Sequence, residues 1–454
     1  MSAEPKGYRE RSRKLLAGEN PRAAVTKATL HHFHTRERAY AELPIEEWRS
    51  YAEGVKNHLL SHLEHYLDQA ERSLTAHGVQ VHWAETAQEA RAELARLVSR
   101  YQVKRVVKAK SMLSEELEVN PWLESLGVSV LESDLGEYVV QLAGETPSHI
   151  VGPAFHKTLA DIQALFAREF GTPPQAAPDV LAAAARSRLR QAFLEADMGI
   201  SGANFVVAET GTVALIENEG NIRITTSAPR VHVVLVGIEK LLPRQRDLAP
   251  FLTLTARAAT GQRLGNYVSL IRGPKGGDPD GPEAVHLIFV DNGRLRLLAD
   301  ERSWETLRCL RCGACLNACP VYRQTGGHAY GWVYSGPIGA VMAPAMLGSR
   351  AAGPLPYASS LCGACAEVCP VKIPIPALLL AGRQRAVLEG EATALERGVI
   401  SAYGQAMLNP ALYRAGARAL RLGRMALPWL RAWSDGRGGL QPSPKSFREL
   451  WSER

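Results

Sequence analysis

Cysteine is absent before residue 309 and after residue 369, and the seven that exist lie between those positions. An odd count confined to tight spacing is unlike the spread framework of a disulfide-stapled secreted chain, so disulfides are excluded as its organising bonds. Long apolar runs are also missing. No stretch approaches the roughly 18 uninterrupted apolar residues of a membrane span. The opening residues, Met1 to Gly7, contain no apolar core of an export signal, and a cytoplasmic chain is expected. Neither G-x-G-x-x-G nor G-x-x-x-x-G-K-[ST] occurs. No hydrolase triad, flavin fingerprint or nucleic-acid motif is legible, and no catalytic residue is assigned. What remains is an ordinary apolar fraction of 46%, 7% aromatics and a net charge of +7 in a chain of 454 residues, long enough for two or three domains.

The cysteines carry the chemistry. Cys309, Cys312, Cys315 and Cys319 are followed by Pro320, which is the C-x2-C-x2-C-x3-C-P run of a bacterial iron–sulfur site. Cys362, Cys365 and Cys369 before Pro370 repeat the run without its first cysteine, and Ser359 stands at that place. Three thiolates two residues apart wrap three corners of a cubane. Small residues between them (Gly313, Ala314, Gly363, Ala364) let the backbone approach the inorganic sulfides. In two-cluster proteins the cysteine before proline ligates the other cluster. Cys309, Cys312, Cys315 and Cys369 are therefore assigned to a first 4Fe-4S cluster. Cys319, Cys362 and Cys365 are assigned to a second, with one corner open to Ser359, solvent, a carboxylate, His328, or loss of one iron to leave a 3Fe-4S centre. A zinc ribbon needs two C-x2-C pairs and explains neither the triple run nor its repetition.

Along the chain, helices are expected over 9–16 and 21–37, and helical spacing recurs from Ile45 to Thr75. Strands over 79–83, 105–109 and 128–132 alternate with helices over 87–101 and 114–126, which argues a parallel α/β layer. Helices over 156–170 and 179–196 lead to a second β-rich stretch over 204–208, 212–217, 223–226, 231–237 and 284–290. Residues between Cys319 and Cys362 are too many for a compact ferredoxin and imply inserted helices. A further helix is expected over 377–389. The organisation is an N-terminal helical segment (1–60), an α/β domain (61–295), a helical ferredoxin-type domain (296–385) and a C-terminal helical segment with tail (386–454).

Outside the cysteines the local signals are weaker. Ala208 to Val213 reads as a glycine turn between strands, with Glu209 as a candidate carboxylate or a plain hairpin residue. Lys108, Lys110 and Ser111 could bind an anion at a helix N-terminus or line a solvated loop. His31, His32 and His34 are not spaced to build a metal site on one helix face. From 412 to 433, Arg414, Arg418, Arg421, Arg424 and Arg431 occur without an acidic residue. Such a basic helix could dock on a partner or on the protein's own core, or lie peripherally on the inner membrane face.

Several stretches together resemble the lactate utilisation protein B family. They are Val107–Met112, Gly202–Phe205, Ala208–Val213, Glu217–Asn221, Val236–Lys240 and Gly326–Pro337, with the cysteine region. The resemblance implies a lactate-utilisation (LUD) α/β domain, like sugar-phosphate isomerases and coenzyme A transferases in fold. It also implies a helical ferredoxin domain similar to those of succinate dehydrogenase and glycolate oxidase subunits. Two 4Fe-4S clusters on the same seven cysteines are implied, together with electron transfer during oxidation of L-lactate to pyruvate alongside partner proteins of the A and C types. The electron acceptor stays open. A self-contained enzyme using the LUD domain and a redox sensor are the alternatives.

Overall fold

A computed structural model describes residues 7–17, 19–278, 280–390, 394–422, 443–445 and 447–453. Ten strands occur among them: β1 (Gln80–Ala84), β2 (Arg105–Lys108), β3 (Ser129–Glu132), β4 (Met198–Ser201), β5 (Phe205–Val207), β6 (Thr212–Glu217), β7 (Val231–Gly237), β8 (Leu241–Leu242), β9 (Tyr267–Ile271) and β10 (Ala284–Val290). Six form one sheet in the order β1-β10-β7-β4-β2-β3, and every neighbouring pair is parallel. The other four form a mixed sheet, β8-β5-β6-β9.

The parallel sheet is covered on both faces, so strand β7 is apolar at all positions but His232 rather than alternating. Val231, Val233 and Leu235 pack with Leu94, Leu97 and Leu123 on one side. Val234 and Val236 pack with Leu63, Ala70 and Leu74 and with the second sheet on the other. From β2 the chain runs outward to β3, and from β4 it runs the opposite way through β7 to β10. The order therefore reverses between β2 and β4, and their carboxyl ends flank the crevice where such sheets take ligands.

Helix Ala87–Tyr101 lies where the sequence places it. Thr86 caps its start by accepting from the Glu89 N–H, and Gln102 ends it in the left-handed conformation. Three expectations are corrected. The helical run over 45–75 is two helices, Ile45–Ser61 and Leu63–Ala76, separated at His62. The helix over 114–126 is two short ones, Met112–Glu116 and Val119–Ser125, broken where Glu118 has φ +50°. Residues 223–226 are not a strand: Asn221–Ser227 is helical. The Glu217 carboxylate there accepts the N–H groups of Ile222 (2.7 Å) and Arg223 (3.0 Å), an acidic cap that outweighs the β-branched composition.

One apolar core joins Phe205, Leu248 and Phe251 to Tyr322, Tyr330 and Ile338 and to Cys319, Cys365 and Cys369. The α/β part and the cysteine region thus share an interior, within a compact unit that extends to residue 386. Helix Glu19–Tyr40 packs on Leu248–Thr260 and on the short helices around Cys315 and Cys319. In the second unit, helices Ala394–Leu408 and Pro410–Leu422 pack on one another. The expected basic helix over 412–433 is described as far as Leu422, and its remainder lies outside the described residues. Among the described residues, no helix is long and apolar enough to cross a membrane.

Candidate metal centre

The two cysteine loops repeat each other in backbone as well as in sequence. Arg311 (φ +62°) and Gly313 (φ +76°) bracket Cys312, and Leu361 (φ +55°) and Gly363 (φ +90°) bracket Cys362. A left-handed non-glycine residue is uncommon, and its recurrence at the same place marks one loop design used twice. The Arg311 N–H points to Cys309 Sγ at 3.4 Å. In the second loop the Leu361 N–H donates to Ser359 Oγ at 3.1 Å. Ser359 therefore occupies the local position of Cys309. The final cysteines each accept a following backbone N–H, Cys319 Sγ from Tyr322 (3.5 Å) and Cys369 Sγ from Ile373 (3.4 Å), one residue further along.

All seven thiols are free, none in a disulfide, and the spacing divides them into two sets. Cys309, Cys312, Cys315 and Cys369 wall one small cavity together with Gly313 and Ala314. Burial pushes the Cys312 thiol up to about 12, and Cys309 and Cys369 add to the rise. Cys369 is pushed to about 11 by burial, with Cys309 acting on it. In the other set, burial raises Cys319, with Cys362 contributing. Cys365 is raised to about 12 by burial and then by Cys319 and Cys362. Cys369 thus lies with the thiols of the first loop, and Cys319 near Cys362 and Cys365. Cys362 differs: it is exposed, and the Ala364 N–H, then the Ser360 hydroxyl, lower its pKa.

Buried thiols that resist ionisation, cornered around small residues and backbone N–H donors, suit a cationic inorganic centre. A metal supplies the positive charge that thiolates otherwise lack. The donor set fits soft-ligand iron–sulfur binding. Of the other fourth-corner candidates, His328 is directed elsewhere, its Nε2 lying 2.8 Å from the Thr146 carbonyl.

Sequence reasoning missed the charged shell around the first set. Arg49, on an N-terminal helix, donates to the carbonyls of Cys369 (2.9 Å) and Ala366 (3.2 Å). Arg294 joins Glu116 (2.9 Å) and Glu239 (2.7 Å), with all three side chains at most 2% exposed. Burial would raise Glu239, yet Arg294, Arg311 and Lys240 pull it down to about 2. Lys56 donates to the Glu239 carbonyl. Only the Val236–Lys240 stretch and a charged residue inside a cluster loop hint at this shell.

The other expected residues are engaged elsewhere in the fold. Glu209 is exposed on the β5–β6 turn, where its carboxylate accepts the Gln245 N–H at 2.7 Å. Lys108 is not available to an anion. It is fully buried among Glu132 (2.8 Å), Glu115 (3.1 Å) and Glu137 (4.0 Å). Lys110 pairs with Asp134 at 3.0 Å, and Ser111 caps the following helix.

The LUD domain model matches residues 67–290, a 4Fe-4S dicluster domain model residues 305–373, and the model of the lactate utilisation protein B C-terminal region residues 382–454. A lactate utilization protein B of Geobacillus thermodenitrificans is 42% identical over 423 residues, covering 90% of this chain and 88% of that protein. The chain belongs to the lactate utilisation protein B family. Family members from Bacillus pumilus (41% identical, 100% of this chain and 98% of that protein) and Bacillus licheniformis (44%, 98% and 96%) match over nearly their whole length. The matched dicluster region spans all seven cysteines, so this member of the family is an iron–sulfur protein.

Proposed function

We propose that the chain is an electron-transfer subunit in the oxidation of lactate to pyruvate, acting with proteins of the lactate utilisation A and C types. Cys309, Cys312, Cys315 and Cys369 would hold one 4Fe-4S cluster. Cys319, Cys362 and Cys365 would hold the other, with Ser359 at the fourth corner or a three-iron centre in its place. Such clusters supply one-electron transfer at potentials set by ligands, hydrogen bonds and burial. The residues of this chain would hold the sulfurs in place, with Cys312 and Cys369 of the first set and Cys319 and Cys365 of the second buried and Cys362 at the surface.

The observation that supports this reading most is the repeated loop, in which each run's last cysteine faces the other run's set. Exposed Cys362 gives a partner protein a short approach to the second set. The α/β part is proposed to share the fold of sugar-phosphate isomerases and coenzyme A transferases.

The test is anaerobic purification with iron and sulfide quantitation, followed by reduction. The broad visible absorbance bleaches if the reading holds, and lactate drives that bleaching only when the partner proteins are added. A colourless preparation containing zinc alone refutes it. Lactate-dependent dye reduction by this chain alone would favour a self-contained enzyme instead.

A further inference from the structure

A second feature lies beside the first cysteine set. A cavity of about 520 Å³ opens at the carboxyl ends of β2, β4 and β7, with Lys110, Asn204 and Gly237 on its sheet side and Leu310 to Cys312 on the other. It sits at the order reversal between β2 and β4, where parallel sheets take ligands, and its size is that of a small-molecule site.

The carboxylates on its wall are engaged. Asp134 holds Lys110 and a helix N-terminus, and Glu217 caps Asn221–Ser227. Glu219 accepts the Leu135 N–H, and Glu239 holds Arg294. Two cations reach only long or weak partners. The Arg311 side chain is only 8% exposed, yet it makes a long contact to Glu239 (3.4 Å) and one to the Met342 thioether. Its guanidinium lies over the Tyr334 ring at 4.5 Å, and its own N–H faces Cys309 Sγ. Lys240 reaches the Cys309 carbonyl at 3.4 Å. A buried guanidinium with spare donors calls for an acceptor, and its planar fork matches carboxylate and phosphate oxygens.

We propose that this cavity binds a small organic anion, whose carboxylate or phosphate is held by Arg311 and Lys240 next to Cys309 and Cys312. The organic body lies toward the sheet, where the volume exceeds what the anionic group fills. A ligand seated there touches the loop of the first set, so its binding is sensed at that set.

The test is equilibrium dialysis of the anaerobically purified full chain with labelled inorganic phosphate and labelled pyruvate. One or both probes bind at a single site, and Arg311→Gln and Lys240→Met each weaken binding by about tenfold or more, as expected for loss of a charge-assisted contact. The surface control Arg350→Gln binds as the wild type does. Binding of phosphate alone assigns a phosphate-bearing ligand, and binding of pyruvate alone a carboxylate. If Arg311→Gln loses iron, Lys240→Met decides. Saturating probe also alters the paramagnetic resonance spectrum of the reduced wild type. That spectral arm rests on the proposed cluster ligation, whereas dialysis does not, so failure of the two readings is distinguishable. No binding of either probe at about 20 mM, or equal binding by wild type and both variants, overturns the proposal.

Discussion

Arg294→Met removes the hub of the buried charge network between the sheet and the first cysteine set. Arg294 forks onto both Glu116 oxygens and reaches Glu239. Glu116 and Glu239 are 1% and 2% exposed, so the substitution leaves two carboxylates enclosed without their main partner. Deleting one member of a buried pair costs about 3–5 kcal/mol. The lowering of Glu239 by Arg294 first, with Arg311 and Lys240 adding to it, has the same sign. In a unit of this size, ~1 kcal/mol moves the Tm by about 2 °C or less, so a fall on the order of 5 °C is expected in thermal melts at pH 7. The sign with pH follows from the direction of the shift. Because the folded-state pKa of Glu239 is depressed, its stabilisation is complete above roughly pH 4.5 and lost as pH falls toward 2. In the variant the same carboxyl loses its main cation, and burial favours its neutral form. The gap between the two proteins therefore narrows as pH falls toward 4. Adding Glu116→Gln recovers part of the loss, since one of the two enclosed carboxylates no longer carries a charge. An Arg294→Met melt within about 1 °C of wild type at pH 7, or a gap that widens on acidification, refutes the reasoning.

Three other substitutions have defined outcomes. Ser359→Cys raises the iron content and replaces a three-iron signal with a four-iron one if Ser359 faces the open corner, and an unchanged spectrum removes it from that corner. Lys240→Met lowers the reduction potential of the first set on the order of tens of millivolts, because a lost positive charge disfavours the more negative reduced form; redox titration showing a rise contradicts this. Gly199→Ala fails to give folded protein, since its Cβ would lie 1.9 Å from the Thr225 carbonyl oxygen, and a soluble variant with a wild-type melt contradicts that contact.

The cysteine chemistry was legible because ligand spacing is local: a cubane corner is reached from a few consecutive residues. Strands β7 and β10 were legible for a related reason, since burial on both faces writes a mostly apolar run, broken in each only by one buried histidine, His232 and His286. The helix Asn221–Ser227 was misread because its cap, Glu217, acts through side-chain geometry that composition does not carry. Lys108 was misread because Glu132 and Glu137 approach it from β3 and the helix beyond. The cavity was legible only in part, through Lys110 and Ser111 as candidate anion-binding residues. Its walls come from Lys110, Asn204, Lys240 and Arg311, brought together by the order of the parallel sheet and by the shared core.

The most direct test of the interlocked cysteine sets is Cys369→Ala, read by iron quantitation and paramagnetic resonance on anaerobic protein. Loss of the centre held by Cys309, Cys312 and Cys315, with the centre at Cys319, Cys362 and Cys365 retained, is the predicted result. Loss confined to the Cys362–Cys365 centre, with the upstream one intact, contradicts the account.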